Sequence, residues 1–170
     1  MNDRKKALVT GGATGIGRSA VLALAKAGYD VAINYASSAK AAQEVAALAQ
    51  GMGVQTMLLP CDVSDETAVR AMMAQADAQF GHLDALVNNA GTTAKWKVKD
   101  LESLDLDEWD RTFAVNVRGL FQVTRAAVPL LRKGSNPSIV NTASIVGLRP
   151  GPQPLPYAAS KAAVVNMTKT

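Results

Sequence analysis

The strongest constraint on the fold of this chain is a repeated alternation between short apolar runs and longer segments in which apolar residues have helical spacing. The apolar runs predict buried strands at positions 6–10, 30–35, 54–59, 83–88 and 138–144. The helical spacing predicts helices over positions 16–27, 38–50, 64–80 and 106–131, and a further helix that begins at Tyr157. Strands that alternate with helices through short connections form a parallel sheet. We therefore predict an α/β, doubly wound parallel sheet with helices on both faces.

Residues that begin and end helices fit these boundaries. Ser64 is a typical N-cap, and Asp65 and Glu66 after it favour the positive end of a helix. Gly28 and Gly81 directly follow two predicted helices, where glycine is a common terminator. The 170 residues are predicted to form a single domain. Because the last helix has no stop signal, we expect the natural protein to continue beyond position 170.

The composition argues against several classes of protein. The chain is 48% hydrophobic and 19% charged, which is typical of a globular domain with a core. No apolar run approaches the roughly 20 residues that span a bilayer, and the charged N-terminus does not resemble a signal peptide. Cys61 is the only cysteine and cannot form an internal disulfide, so we expect a cytoplasmic protein with no membrane partner. His82 is the only histidine, which argues against a His-ligated metal site and a Ser-His-Asp triad.

The net charge of +4 is modest, and the basic residues are mostly scattered. Lys95, Lys97 and Lys99 form the one local cluster. A nucleic-acid-binding patch is one interpretation of this cluster, but a solvated loop is preferred, so no nucleic-acid partner is expected. A modest positive charge also suits an anionic cofactor.

A glycine-rich turn, Thr-Gly-Gly-Ala-Thr-Gly-Ile-Gly at positions 10–17, joins the first strand to the first helix. Glycines let the backbone turn sharply, and the N-terminus of a helix offers free N–H groups to a pyrophosphate. Doubly wound folds bind dinucleotides at this point. The spacing is G-x-x-x-G-x-G rather than G-x-G-x-x-G, and a turn without a ligand is the alternative. The residues expected to contact a cofactor here are Gly11, Thr14, Gly15, Ile16 and Gly17.

The end of the second strand indicates which cofactor is bound. NAD-binding proteins usually carry an acidic residue there, but Asn34, Tyr35 and Ser37 bring no carboxylate that would repel a 2′-phosphate. Arg18 follows the last glycine of the turn and is a suitable charged donor to that phosphate. We therefore predict NADP(H), with NAD(H) as the alternative. A solvated helix position is the alternative interpretation of Arg18.

Two further turns are predicted to surround the adenosine. After the third strand, Asp62 is placed to accept from the adenine amino group, with Val63 against the ring; a simple turn residue is the alternative for Asp62. After the fourth strand come Asn89, Ala90 and Gly91, whose small size lets the backbone run beside the ribose. The preceding Asn88 is expected either here or as a structural tie between loops.

A tyrosine and a lysine four residues apart give the sharpest chemical signal. Tyr157 and Lys161 lie on one face of a predicted helix, so the ammonium group stands beside the phenol. A neighbouring positive charge favours the phenolate, which suits a general acid or base. Ser144, at the end of the fifth strand, is a candidate donor to a substrate oxygen. Asn116 lies inside a predicted helix and is a candidate holder of a water. A surface Tyr–Lys pair and a surface Asn are the alternatives.

Together these motifs resemble the short-chain dehydrogenase/reductase family, and the pattern looks most like its 3-oxoacyl-carrier-protein reductase branch. The resemblance covers essentially the whole chain, and the matching pieces are the glycine motif at 10–17, Asp62, Asn88 to Gly91, Asn116, Ser144, Tyr157 and Lys161. It implies an NAD(P)-binding Rossmann domain that transfers a hydride between the cofactor and a carbonyl or secondary alcohol.

The resemblance also implies the role of each residue. Tyr157 gives or takes the proton, and Ser144 positions the carbonyl. Lys161 binds the nicotinamide ribose and stabilises the phenolate, and Asn116 holds a water of the proton relay. Tyr157 and Lys161 therefore also count among the cofactor-binding residues.

Three further expectations follow from the family. Its members carry additional C-terminal strands and a substrate lid, which this sequence lacks. They often form homodimers or homotetramers through the helix over 106–131 and the Tyr157 helix, where Phe121, Val128 and Leu131 face either a partner or the core. A non-catalytic NADP(H)-binding protein, or an inactive fragment of an enzyme, is the competing hypothesis.

Overall fold

A computed structural model describes residues 4–93 and 101–170, so the lysine cluster at positions 95, 97 and 99 lies outside the described residues. The strands are β1 (Lys6–Val9), β2 (Asp30–Tyr35), β3 (Thr56–Pro60), β4 (Ala85–Asn88) and β5 (Ser138–Asn141). The α-helices are α1 (Gly15–Lys26), α2 (Ala39–Gln50), α3 (Glu66–Phe80), α4 (Leu106–Phe113), α5 (Leu120–Leu131) and α6 (Leu155–Lys169).

The strands form one parallel sheet in the order β3-β2-β1-β4-β5. Neighbouring residues of a strand face opposite sides of it: Leu8 belongs to one core cluster and Val9 to the other. The first cluster packs against α3 and α5, and the second packs against α1 and α2. The predicted doubly wound sheet with helices on both faces is therefore confirmed.

The start of α3 differs from the prediction by one residue. Asp65, not Ser64, is the N-cap, because its Oδ1 accepts a hydrogen bond from the backbone N of Ala68 at 3.1 Å. The Ser64 hydroxyl instead donates to Oδ1 of Asp62 at 2.7 Å. A carboxylate is the stronger acceptor at a helix N-terminus, since it also interacts with the positive end of the dipole. Gly81 ends the helix with a φ of 74°, as predicted.

The helix predicted over 106–131 is continuous but not uniform. Between α4 and α5 the segment Ala114–Gly119 is a π-helix, and Asn116 lies within it. Single π-helical turns inside α-helices occur frequently at functional sites. The hydrophobic pattern did not reveal this segment, because a π-turn shifts the register by only one residue.

The end of the fifth strand also differs from the prediction. β5 ends at Asn141 rather than at Ser144, and Ser144 begins a short 3-10 helix over Ile145–Gly147. β5 lies at the edge of the sheet, where Ile139 and Val140 are 43% and 54% exposed. Within residues 4–93 and 101–170, no helix has the length and apolar character needed to cross a membrane.

Candidate active site

The carboxyl ends of β1 and β4 are joined by a threonine that the sequence analysis gave no role. Thr10 is 2% exposed, and its Oγ1 accepts from the backbone N of Asn89 at 2.9 Å and of Ala90 at 3.0 Å. Parallel strands bring their carboxyl ends to the same edge, so one hydroxyl can satisfy two amides of the neighbouring turn. Thr10 therefore fixes the turn after β4 against the glycine turn.

The glycine turn is held so closely that a side chain does not fit at Gly17. A Cβ at Gly17 would lie 2.1 Å from the carbonyl O of Gly11, and Gly11 itself has a φ of 61°. The amide of Asn89 donates to the carbonyl oxygens of Thr10 and Gly11, both at 3.1 Å. The Asn89 side chain thus holds the turn in place.

Asn34 holds the other side of the same turn. It is 1% exposed, its Oδ1 accepts from the N of Gly11 at 3.2 Å, and its Nδ2 donates to the carbonyl oxygens of Leu59 at 3.1 Å and Cys61 at 2.9 Å. These contacts use both amide hydrogens. The side-chain donors of Asn34 are therefore engaged within the protein, and its contact with a cofactor stays a prediction.

Asn88, by contrast, ties elements of the sheet together. Its Nδ2 donates to Thr124 of α5 and to Asn141 of β5, both at 2.9 Å. Of the two roles considered for Asn88, these contacts favour the structural one.

A cleft of about 290 Å³ opens along this edge of the sheet. The predicted cofactor-binding residues that line it are Gly11, Thr14, Asn34, Tyr35, Ser37, Asp62, Val63, Ala90 and Gly91. The predicted residues outside its lining are Gly15, Ile16, Gly17, Arg18, Asn89, Tyr157 and Lys161. Arg18 is exposed on the first turn of α1, so the structure does not bring it into the cleft.

The cleft also has walls that the sequence analysis missed. Thr92 follows the turn after β4, and Arg111 and Val115 come from the α4 side. Arg111 and Val115 are four residues apart and share one helix face, but they lie five residues and one residue before Asn116, so helical spacing from Asn116 gave no signal for them. Cys61, also missed in this role, lines the cleft beside Asp62.

Asp62 is fixed by three hydrogen bonds. Its Oδ1 accepts from the backbone N and the hydroxyl of Ser64 at 2.9 and 2.7 Å, and its Oδ2 accepts from Nη2 of Arg111 at 2.8 Å. Burial by itself would raise the pKa of this carboxyl, but the hydrogen bonds from Ser64 and Arg111 outweigh burial and hold the pKa below its usual value. Asp62 therefore presents a charged acceptor to the cleft.

Asn116 links the π-helical segment to its neighbours. Its Oδ1 accepts from the N of Thr92 at 2.8 Å, and its Nδ2 donates to the carbonyl O of Thr92 and to Oγ of Ser160, both at 2.9 Å. The Ser160 hydroxyl donates in turn to the carbonyl O of Tyr157 at 2.7 Å. Asn116 thus connects the cleft wall at Thr92 with helix α6.

Lys161 and Tyr157 are neighbours on α6, as their spacing predicts. The Nζ of Lys161 lies 5.7 Å from the centroid of the Tyr157 ring and donates to the carbonyl O of Thr142 at 2.6 Å. Lys161 is only 5% exposed, and burial lowers the pKa of its ammonium group. A Cβ at Gly91 would lie 3.3 Å from Oδ1 of Asn116 and 3.7 Å from Nζ of Lys161. Gly91 therefore joins the cleft to this pair.

Ser144 stands on the loop after β5. It is half-buried, and its Oγ accepts from the backbone N of Val146 at 3.5 Å, a long contact that does not use the hydroxyl hydrogen. Among the residues that the structure describes, Ser144 has no hydrogen bond to Tyr157 or Lys161.

Comparison with known proteins agrees with this geometry. The family model described as short chain dehydrogenase matches residues 5–170. The chain is 39% identical to 3-oxoacyl-[acyl-carrier-protein] reductase FabG of Staphylococcus aureus (strain Mu50) over 170 residues, which are 100% of this chain and 68% of the relative.

Solved structures of the same kind are bound to nicotinamide cofactors. A short chain dehydrogenase from Burkholderia cenocepacia J2315 in complex with NADP has a TM-score of 0.88 at 41% identity, covering 97% of this chain and 66% of that one. A 3-oxoacyl-[acyl-carrier protein] reductase from Brucella melitensis in complex with NAD has a TM-score of 0.89 at 32% identity, covering 98% and 66%.

The chain spans about two thirds of the length of these relatives, and 55% of the length of the oxidoreductase YghA of Escherichia coli (strain K12), to which it is 42% identical. The matched residues, 5–170, include the parallel sheet, the glycine turn and the Tyr157–Lys161 pair. The chain therefore belongs to the short-chain dehydrogenase family of oxidoreductases.

Proposed function

We propose that the protein transfers a hydride between NADP(H), or NAD(H), and a carbonyl or secondary alcohol substrate, with Tyr157 as the general acid or base. The observation that carries this proposal is the buried Lys161 ammonium group, which stands beside the Tyr157 ring and next to Gly91 of the cofactor cleft. A buried positive charge is costly, and among the residues that the structure describes no carboxylate pairs with Lys161. Lys161 lies between the Tyr157 phenol and the proposed dinucleotide cleft. We therefore interpret this unfavourable burial as serving catalysis.

The proposal assigns a role to each of five side chains. Tyr157 donates a proton to the substrate oxygen during reduction and takes it back during oxidation, and Lys161 stabilises the phenolate that remains. Ser144 holds the substrate oxygen by hydrogen bonding as charge develops on it. Asn116 and Ser160 hold the start of α6, and Asn116 keeps one oxygen lone pair for a relay water. The nicotinamide ring supplies or accepts the hydride when the cofactor is bound.

The donor set of the cleft fits a dinucleotide. The glycine turn offers the N-terminus of α1 to a pyrophosphate, and Asp62 offers an acceptor to an amino group. Tyr35 and Ser37 line the cleft without a carboxylate, which supports the preference for NADP(H). The contact between Arg18 and a 2′-phosphate requires the exposed arginine to reach into the cleft, and it remains part of the proposal.

Titration with the two cofactors tests the binding part. Purified chain is titrated with NADPH and with NADH, and the nicotinamide fluorescence is followed. Tighter binding of NADPH supports the absence of a carboxylate near Ser37 as the basis of selection. Tighter binding of NADH contradicts that preference but keeps the class of enzyme.

The competing hypothesis is a protein that binds the cofactor without turnover, and Tyr157→Phe separates the two. This change removes the phenol oxygen and leaves the ring, so we expect reduction of a small carbonyl substrate to fall at least about a hundredfold while NADPH binding stays within about twofold. Tyr29→Phe, on a tyrosine that stacks with Lys5 away from the cleft, is the matched control. Turnover that survives Tyr157→Phe refutes the assigned chemistry.

Other features of the whole protein stay predictions. From the resemblance to 3-oxoacyl-carrier-protein reductases we propose a carbonyl substrate, without naming a particular compound. The single domain, the cytoplasmic location and the homodimer or homotetramer are likewise proposals. Of the residues considered for a partner surface, Leu131 is buried in the core, whereas Phe121 is 50% exposed with the guanidinium of Arg125 over its ring.

A further inference from the structure

We propose that Arg111 is a positioning residue for the cofactor, which pre-forms the adenine end of the cleft by fixing the Asp62 carboxylate. This inference rests on the proposed function, because it takes the cleft to be a dinucleotide site. Arg111 belongs to α4, far along the chain from the glycine turn, and nothing in its sequence environment marks it as a binding residue.

The contacts of Arg111 converge on one loop. Its Nη2 donates to Oδ2 of Asp62 at 2.8 Å, and its Nη1 donates to the hydroxyl of Ser64 at 2.9 Å. A planar guanidinium with two parallel donors fixes both partners in orientation, which a single ammonium group cannot do. Helix α4 is thereby fastened to the turn that follows β3.

The contacts with Arg111 and Ser64 determine how many further hydrogen bonds the Asp62 carboxylate can accept. A carboxylate accepts about four hydrogen bonds, and here three positions are taken, two on Oδ1 by Ser64 and one on Oδ2 by Arg111. One acceptor position on Oδ2 is left. A single N–H of an exocyclic amino group fills one such position, so the residual capacity of Asp62 matches an adenine edge.

The surroundings support an aromatic occupant at that place. Arg111, Val63 and Val115 line the same cleft as Asp62, so the carboxylate is flanked by apolar side chains and a flat cation. The side chains of Arg111 and Asp62 are 55% and 38% exposed, so the pair is reached from solvent before any ligand binds. Burial of this pair under a ligand would strengthen each of its hydrogen bonds.

The test compares NADPH and NADH affinities of Arg111→Ala with those of Arg125→Ala. Arg125 is the matched control, because it forms an ion pair with Glu66 at 2.9 Å, is 53% exposed and lies outside the cleft. We expect Arg111→Ala to weaken both cofactors by the same factor, about threefold to tenfold, as for a half-exposed charge pair, and Arg125→Ala to change neither by more than about twofold. The cofactor affinities of Arg111→Lys should lie between those of Arg111→Ala and those of the unchanged protein. Lysine keeps the positive charge, but it cannot donate to two partners in the fixed geometry of a guanidinium group.

A double-mutant cycle with Asp62→Ala separates positioning from a general charge effect. If Arg111 acts through Asp62, Arg111→Ala costs less than about twofold once Asp62 is absent. An equal loss in both backgrounds overturns the proposal, since the arginine would then act directly on the anionic cofactor. A loss confined to NADPH also overturns it and indicates a contact to the 2′-phosphate.

The outcomes for the two proposals are distinct. If the unchanged chain binds neither cofactor, the dinucleotide site itself is refuted. If the unchanged chain binds and Arg111→Ala binds equally well, only the role of Arg111 is refuted. Thermal melts of each variant show whether a loss of affinity comes from a loss of fold.

Discussion

Thr10 offers a sharp test of how the site is held, because the prediction depends on one oxygen atom. In Thr10→Val the side chain keeps its shape but loses the hydroxyl that accepts from the backbone N of Asn89 and Ala90. Both residues are half-buried, so water can reach these amides only in part. The turn after β4 should therefore loosen against the glycine turn.

The expected loss of stability follows from the two backbone N–H groups, of Asn89 and Ala90, that lose their acceptor. A buried N–H left without an acceptor costs about 1–3 kcal/mol, and the lower end applies at half-buried positions, so we expect a loss of about 2 kcal/mol. A destabilisation of this size lowers the melting temperature of a domain of this length by about 4–8 °C. Thr10→Ser keeps the oxygen and removes one methyl group, which costs only about 1 kcal/mol.

The ranking of the two variants is the decisive result, measured by thermal and urea unfolding. Hydrogen bonding to the turn predicts that the serine variant is more stable than the valine variant. Apolar packing alone predicts the reverse, because valine fills the same volume and serine leaves a gap. A valine variant as stable as the unchanged protein would refute the role assigned to the hydroxyl.

Two further predictions concern the cleft. Gly17→Ala places a Cβ 2.1 Å from the carbonyl O of Gly11, so the turn must shift, and NADPH affinity should fall at least about tenfold. Gly53→Ala is the control, because Gly53 has a φ of 85° and no atom lies within 4 Å of its Cβ. This control should lose stability but not NADPH affinity. Burial raises the pKa of the Cys61 thiol to about 11 from 9.0, so at pH 8 the thiolate fraction in the folded protein should be about a hundredfold below that of the unfolded chain. Labelling with a thiol reagent at pH 8 with and without urea measures this ratio, and equal rates would contradict the assigned burial.

The parts of the fold that could be predicted from the sequence are those with a strong local signal. β2 has the predicted bounds, because the apolar run from Val31 to Ile33 is followed closely by Ser37 and Ser38. β5 was predicted too long, since apolar and small residues continue past Asn141 although the pairing with β4 ends there. Strand ends depend on pairing with a neighbour, and the sequence does not contain that information locally.

In the candidate site, too, the features with a local sequence signal were predicted and those that depend on tertiary packing were not. Tyr157 and Lys161 were predicted to be neighbours because both lie on one helix. Arg111 was missed because an arginine on an amphipathic helix is usually solvated, and its meeting with Asp62 depends on tertiary packing. Arg18 was expected in the cleft for its position after the glycines, but the first turn of α1 directs it to solvent. Residue spacing therefore predicts contacts between two residues of the same helix better than contacts between residues of two different elements.

The amide of Asn34 has a consequence for anyone who wishes to redesign the coenzyme choice of this protein. An aspartate at this position would set a carboxylate oxygen against the carbonyl oxygens of Leu59 and Cys61, which now receive the two amide hydrogens. The usual route to an NADH-dependent variant, an acid at the end of the second strand, is therefore unfavourable at Asn34. Ala36 and Ser37 line the cleft without such obligations, so a library that targets coenzyme choice should begin there.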